Sequence, residues 1–162
     1  MSSGPGVFPE THHPRLSQKL LLTPILGTLA THLFSYPMFC RGFGEVFGDT
    51  KPTNEDYEDF WAALRYNDGN KAWVGLINFL RERKAFKEKW VGALKETKIK
   101  VLMVYGPADP VNPPAFAKHF RETVPKQTLV TLAEKVGHYP QWEDPVAVEQ
   151  QITLFIKGPS SA

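Results

Sequence analysis

The chain has 162 residues, the length of one domain, and its 42% hydrophobic and 22% charged residues are ordinary for a globular protein. A net charge of +2 at pH 7 gives no strong attraction to nucleic acid, so no nucleic-acid partner is expected. The single cysteine, Cys40, excludes an internal disulfide bond.

Residues 11–97 carry helical patterns and almost no strand signal. The first apolar block, residues 16–33, predicts one or two helices interrupted at Pro24, because proline cannot donate a helical hydrogen bond. Tyr36 and Pro37 are predicted to end this block. The next stretch, residues 39–48, is rich in phenylalanine and glycine and predicts turns.

Thr53 or Asn54 can cap the next helix, which carries apolar residues at i, i+3, i+4 and i+7 spacing from Tyr57. The run Asn67-Asp-Gly-Asn70 then predicts a turn. Two further helical faces follow, one over residues 73–80 and one over residues 86–94. This part of the chain is therefore predicted to be entirely helical.

Residues 98–157 alternate strand, helix, strand and helix, the pattern of a parallel sheet built from βαβ units. The strands are predicted at residues 101–104 and 128–132, with a helix from Ala115 to about Thr123 between them. The last helix is predicted to begin at Pro145, with Asp144 as its N-cap. Its predicted buried stripe is Val148, Ile152, Phe155 and Ile156.

Two polar residues stand where these strands end. Asp109 follows the first strand through a short turn, and His138 follows the second strand 29 positions later. Because a right-handed βαβ crossover brings consecutive parallel strands side by side, we expect the two side chains within hydrogen-bond reach or one water beyond it. An acid followed by a histidine is the order of the last two members of a nucleophile–acid–histidine triad.

Each residue alone has a simpler interpretation, a proline-rich turn for Asp109 and a surface-loop histidine for His138. Their combination, with one helix between them and one after, favours the catalytic interpretation. The other histidines show no spacing typical of metal ligands, so no metal and no cofactor are expected.

Several short motifs along nearly the whole chain carry a resemblance to a known family: Gly6-Val-Phe-Pro-Glu-Thr-His12, Arg41-Gly-Phe, Val46-Phe-Gly48, Asn67-Asp-Gly-Asn70, Trp90-Val-Gly-Ala-Leu94, Tyr105-Gly-Pro with Asp109-Pro-Val-Asn-Pro113, and His138-Tyr-Pro-Gln with Glu143-Asp-Pro145. With these motifs the chain resembles α/β-hydrolases of the epoxide hydrolase and haloalkane dehalogenase type. The resemblance implies an α/β fold class, as the C-terminal part of an α/β-hydrolase: a helical cap plus the last two parallel strands and their helices.

The resemblance also implies a domain division: an N-terminal tail over 1–10, a cap over 11–97, the C-terminal part of the core over 98–157, and a tail over 158–162. Asp109 would be the triad acid and His138 the base that activates water. The family's nucleophile is an aspartate on a sharp turn before the cap, and these residues contain no such turn. The resemblance therefore predicts a C-terminal fragment or truncated isoform, inactive alone.

The parent protein would hydrolyse a small or lipid-like substrate. The residues leave the cellular location open, whereas the resemblance suggests the endoplasmic reticulum membrane. Tyrosines of the cap belong to the family's site, and Tyr36, Tyr57 and Tyr66 are the candidates here.

Two other interpretations remain open. The chain could be a non-enzymatic binding module that uses its apolar cap for a protein or lipid partner, with membrane-surface contact through residues 20–40. It could also be a small hydrolase with an unrelated nucleophile such as Cys40 or Ser35, although neither follows a strand. A sheet of two strands is too small to be stable alone, so the chain is expected to self-associate or to need its missing half.

Overall fold

The computed structural model describes residues 7–23 and 25–158, and Pro24, the predicted helix breaker, lies outside the described residues. The first part of the described chain is helical. Its α-helices are α1 (Leu16–Leu21), α2 (Leu26–Leu33), α3 (Tyr36–Gly44), α4 (Asn54–Arg65), α5 (Trp73–Leu76), α6 (Phe79–Ala85) and α7 (Lys87–Glu96), with a 3-10 helix at Tyr66–Ala72.

Helix α4 begins where the sequence predicts. The Thr53 hydroxyl accepts a hydrogen bond from the Asp56 N–H at 3.2 Å, and the Asp56 carboxylate accepts one from the Thr53 N–H at 2.8 Å. This reciprocal capping box satisfies two backbone donors that the first helical turn leaves without partners. The turn predicted at residues 67–70 is also present, with positive φ angles at Asn67 and Asp68.

Two predictions for the helical part are wrong. The predicted turns over residues 39–48 are replaced in large part by helix α3, where Pro37 lies in the first turn and its missing N–H costs nothing. The rings of Phe39 and Phe43 stack at 5.2 Å, and both rings contact Tyr57 of α4. This packing outweighs the weak helix propensity of the glycines. The single helix predicted over residues 73–80 is divided into α5 and α6.

The second part of the chain forms a parallel β-α-β-α arrangement. Its elements are β1 (Leu102–Tyr105), α8 (Ala115–Thr123), β2 (Thr128–Thr131), α9 (Pro140–Glu143) and α10 (Pro145–Lys157). Strands β1 and β2 pair in parallel from Leu102 opposite Thr128 to Tyr105 opposite Thr131. All four residues of β1 are buried, as its apolar run predicts. Both strands therefore end at the same edge, where Asp109 and His138 follow.

Phe8 lies in the main core, although residues 1–10 were expected to be a tail. Its ring is fully buried, and it contacts Phe116 and Phe120 on the inner face of α8. The same core contains Val91, Met103, Tyr105, Ala117 and Val124. The expectation of a tail is therefore wrong for this segment, while residues 1–6 lie outside the described part of the chain.

Helix α10 is capped as predicted, since the Asp144 carboxylate accepts a hydrogen bond from the Ala147 N–H at 3.1 Å. The predicted buried stripe is only partly present. Val148 is buried against β1, whereas Ile152 is 44% and Ile156 77% exposed. The two described strands are too few to cover the whole apolar face of this helix.

None of the helices in the described residues has the length and apolar character needed to cross a membrane.

Candidate active site

The turn after β1 brings Asp109 next to the turn that carries His138. The Ala108 N–H donates to the Val136 carbonyl at 2.8 Å. Gly106 makes this approach feasible, because a Cβ atom at this position would lie 2.2 Å from the Gly137 carbonyl oxygen. The two turns are thus in direct backbone contact at the carboxyl edge of the sheet, where α/β folds place their ligand sites.

The Asp109 carboxylate is held by three donors. Its Oδ1 atom accepts a hydrogen bond from the Val111 N–H at 2.7 Å, and its Oδ2 atom accepts one from the Asn112 side-chain amide at 2.9 Å. Oδ2 also lies 2.8 Å from Nδ1 of His138. The Asp109 side chain is fully buried, so these bonds replace the water that an ionised carboxylate would otherwise need.

The hydrogen bond to Asp109 fixes the proton arrangement of the His138 ring. A carboxylate accepts only from a protonated nitrogen, so Nδ1 carries a proton and Nε2 has a free lone pair when the ring is neutral. The His138 side chain is 13% exposed, in contrast to its buried partner. The structure thus brings the two predicted side chains into hydrogen-bond contact, with the buried acid against Nδ1 of the histidine.

Two tyrosine side chains, Tyr139 and Tyr105, lie near the pair. Tyr139 meets the His138 ring edge-on at 5.0 Å. Burial, together with the nearby charge of Asp109, raises the pKa of Tyr139 and raises the pKa of Tyr105 to about 12. Both phenols therefore stay protonated at neutral pH, and the Tyr105 hydroxyl donates to the Asn112 carbonyl at 2.9 Å.

Among the described residues, the other candidates form no hydrogen bond with this pair. Ser35 precedes the first residue of α3, and Cys40 lies within that helix, so neither occupies a strand-to-helix turn. In the described part of the chain no serine or cysteine side chain hydrogen-bonds to His138. The described residues also contain no group of three or more histidine, cysteine or acidic side chains placed to hold a metal ion. Of the cap tyrosines, Tyr66 is largely exposed.

No family model matches the chain. The chain is 44% identical to the mesoderm-specific transcript protein of Mus musculus over 161 residues, which cover 98% of this chain and 48% of the relative. It is 35% identical to the hydrolase LipZ of Mycobacterium tuberculosis over 158 residues, which cover 96% of this chain and 54% of that relative. The chain therefore spans about half the length of the curated relatives it matches.

A haloalkane dehalogenase, the DbeA-M1 loop variant from Bradyrhizobium elkanii, has the same fold with a TM-score of 0.73 and 18% identity. The superposition covers 95% of this chain and 56% of the dehalogenase. The chain therefore shares the α/β-hydrolase fold of this dehalogenase. Its helices and two parallel strands correspond to a C-terminal part of the α/β-hydrolase fold.

Two residues beside the Asp109–His138 pair were not identified as candidates from the sequence. Asn112 donates to Asp109, and Glu143 accepts hydrogen bonds from the backbone on both sides of His138. Both residues lie within the motifs that carry the resemblance, in Asp109-Pro-Val-Asn-Pro113 and Glu143-Asp-Pro145. The sequence pointed to Asn112 and Glu143 only through their closeness to Asp109 and His138 along the chain.

His12 lies in the segment next to the Asp109 turn, since the His13 N–H donates to the Val111 carbonyl at 3.0 Å. Burial lowers the pKa of His12 from 6.5 to about 4, and the charge of Arg83 acts in the same direction. The folded state thus binds this proton less readily than the unfolded state does. The contribution of the neutral His12 side chain to the free energy of unfolding is therefore complete above pH 6.5 and is lost as the pH falls toward 4.

The free energy of unfolding of the wild type should fall between pH 7 and pH 4. We expect the fall in the His12→Phe variant to be smaller by up to about 3 kcal/mol. The measurement is urea unfolding at a series of pH values, followed by tryptophan fluorescence. The His13→Phe variant is the matched control, because the neighbouring His13 is exposed. Parallel pH profiles for the wild type and the His12→Phe variant would contradict a buried neutral His12.

Proposed function

We propose that the chain supplies the acid and the base of an α/β-hydrolase triad, and that a nucleophile from sequence outside these residues completes it. The observation that carries the proposal is the hydrogen bond of 2.8 Å between the buried Asp109 carboxylate and His138 Nδ1 at the edge of the parallel sheet. In this arrangement the second ring nitrogen of His138 is the base.

The apolar surface supports the need for further sequence. Val146, Leu154 and Ile156 of α10 are mostly exposed, as is Ile99 just before β1. Such residues normally cover strands of a larger sheet, and monomeric proteins rarely expose so many of them together. Relatives of about twice the length would contain the additional strands. In this proposal residues 11–97 are the cap and residues 98–157 belong to the core.

The proposed reaction has two steps. An aspartate from sequence outside these residues attacks the electrophilic carbon of the substrate, forms an ester with it and displaces the leaving group. His138 Nε2 then removes a proton from water, and the resulting hydroxide attacks the carbonyl carbon of the ester. The alcohol leaves and the aspartate is regenerated. Asp109 stabilises the imidazolium form of His138 during the second step.

The surroundings of His138 favour a small or lipid-like substrate with an apolar body. Phe43, Phe47 and Tyr139 form an aromatic cluster with ring centroids between 4.9 and 5.4 Å apart. This cluster joins the end of α3 to the His138 turn, and its rings give that side of the site an apolar wall. The relatives are named as a hydrolase and as haloalkane dehalogenases, both of which are hydrolytic enzymes.

The test is co-expression of the chain with the portion of the mouse relative that lies outside the matched region. The purified assembly is assayed with 4-nitrophenyl butyrate, styrene oxide and 1-iodobutane. We expect turnover of at least one substrate by the assembly, and none by the chain alone. The proposal would be contradicted if the chain alone turned over a substrate and its His138→Gln variant did not. It would also be contradicted if the assembly formed but hydrolysed none of the three substrates.

A second candidate function rests on the exposed apolar side chains of the first helices. Leu16, Ile25 and Leu33 are each more than half exposed, as are Leu26, Leu29 and Met38. We propose as the alternative that this face, including residues 20–40, contacts a lipid surface, which would suit residence at the endoplasmic reticulum membrane. Sedimentation with phosphatidylcholine vesicles tests it, and a chain that stays in the supernatant contradicts it.

A further inference from the structure

Glu143, the last residue of α9, has a carboxylate whose hydrogen bonds within the described residues are all to backbone N–H groups. Its Oε2 atom accepts hydrogen bonds from Gly137 at 2.8 Å and from Gly48 at 2.7 Å, and its Oε1 atom accepts one from Tyr139 at 3.1 Å. The residue is only 8% exposed. No lysine, arginine or histidine of the described residues forms an ion pair with it within 4.0 Å.

Two of these donors flank the catalytic histidine, since Gly137 and Tyr139 are its neighbours in the chain. The third donor, Gly48, comes from the segment that follows α3. The two segments also bond directly, because the His138 N–H donates to the Val46 carbonyl at 3.0 Å and the Asp49 N–H donates to the Lys135 carbonyl at 3.0 Å. The carboxylate of Glu143 thus lies at a junction of two backbone segments.

The two glycines at this junction leave no space for a side chain. A Cβ atom at Gly137 would lie 2.3 Å from the Gly48 nitrogen, and one at Gly48 would lie 1.8 Å from the Lys135 carbonyl oxygen. The N–H groups of Gly48 and Gly137 therefore reach one carboxylate oxygen together. Hydrogen bonds to an ionised acceptor are short and strong, and here they fix the direction of the backbone on both sides of His138.

We infer that Glu143 is a positioning residue that holds the His138 turn against the segment after α3 and so sets the distance from His138 to Asp109. The role in catalysis rests on the proposed hydrolase function, whereas the role in geometry does not. Asp109 is held by its own bonds to Val111 and Asn112. The histidine, by contrast, depends on the backbone that Glu143 binds.

The Glu143→Gln variant keeps the size of the side chain but replaces one acceptor oxygen with an N–H donor, which cannot accept from the backbone. We expect the turn to shift and the hydrogen bond between His138 and Asp109 to lengthen. A displacement of about 1 Å in a catalytic group can lower turnover about 10²-fold. In the completed assembly we therefore expect kcat to fall about 10²-fold with little change in KM.

The deciding experiment is NMR of the 162-residue chain with ¹⁵N-labelled histidine. In the wild type, the Nδ1–H proton of His138 bonded to Asp109 should give a signal far downfield of the amide protons, and the His138→Gln variant assigns it. We expect this signal to be lost or shifted toward the amides in Glu143→Gln and retained in Glu149→Gln, whose substituted residue is exposed on α10. An unchanged signal in Glu143→Gln would overturn the inference.

A second variant keeps the test decisive if Glu143→Gln does not fold. Glu143→Asp retains the negative charge but is one methylene shorter, so it cannot reach all three N–H groups at once. The same change of the signal is expected, and an unchanged signal overturns the inference. Because the NMR measurement needs no turnover, an inactive assembly with a normal wild-type signal would contradict the proposed function alone.

Discussion

Replacing Asp109 by asparagine is expected to lower kcat of the completed triad by about 10⁴-fold. The carboxylate accepts hydrogen bonds from Val111, Asn112 and His138 in a fully buried position. An asparagine there would present an N–H group to at least one of these donors. The His138 ring would then take the opposite tautomer, with its proton on Nε2, and the base would be lost.

The measurement is kcat of the co-expressed assembly, with Asp59→Asn as the matched control because Asp59 is exposed on α4. The control should retain full activity. A circular dichroism spectrum equal to that of the wild type would show that Asp109→Asn still folds. Retention of more than about a tenth of kcat, against the loss of about 10⁴-fold expected for a triad acid, would contradict the assignment of Asp109.

Replacing Phe8 by alanine is expected to lower the free energy of unfolding by about 3–5 kcal/mol. The Phe8 ring is fully buried, and it contacts His119 edge-on at 4.7 Å in addition to Phe116 and Phe120. Truncation to alanine would leave a cavity between α8 and the first described segment. Rigid neighbours such as these aromatic rings cannot fill that cavity by a small movement.

Urea denaturation followed by tryptophan fluorescence measures this loss. Phe86→Ala is the matched control, since Phe86 is 52% exposed and its truncation should cost less than about 1 kcal/mol. Equal losses for the two variants would show that residues 7–10 behave as the tail first expected from the sequence.

The pair at the site could be predicted because its geometry follows from local rules. The apolar run of β1 and the alternation with α8 indicate a parallel crossover, whose handedness is fixed by the twist of the strands. Two residues that follow consecutive strands must then lie at one edge. The hydrogen bond of 2.8 Å between Asp109 and His138 is the expected consequence.

The bonds of Glu143 could not be predicted in the same way. Its contact with Gly48 joins residues 95 positions apart, and no local pattern contains that information. Helix α3 shows the same limit, since its glycines favour turns locally while Phe39 and Phe43 gain their packing from α4. The exposed Ile152 and Ile156 of α10 were predicted as buried because the amphipathic pattern records which face is apolar, without showing what covers it.

The central claim is that this chain provides the base but not the nucleophile. Its most direct test is intact mass spectrometry of the co-expressed assembly that carries His138→Gln, after incubation with 1-iodobutane. Without the base, the ester intermediate cannot be hydrolysed and should accumulate. The account predicts one added butyl group on the co-expressed partner and an unmodified 162-residue chain. The contradicting result is a butyl group on the 162-residue chain in the His138→Gln assembly but not in the wild-type assembly. The nucleophile would then lie within these residues.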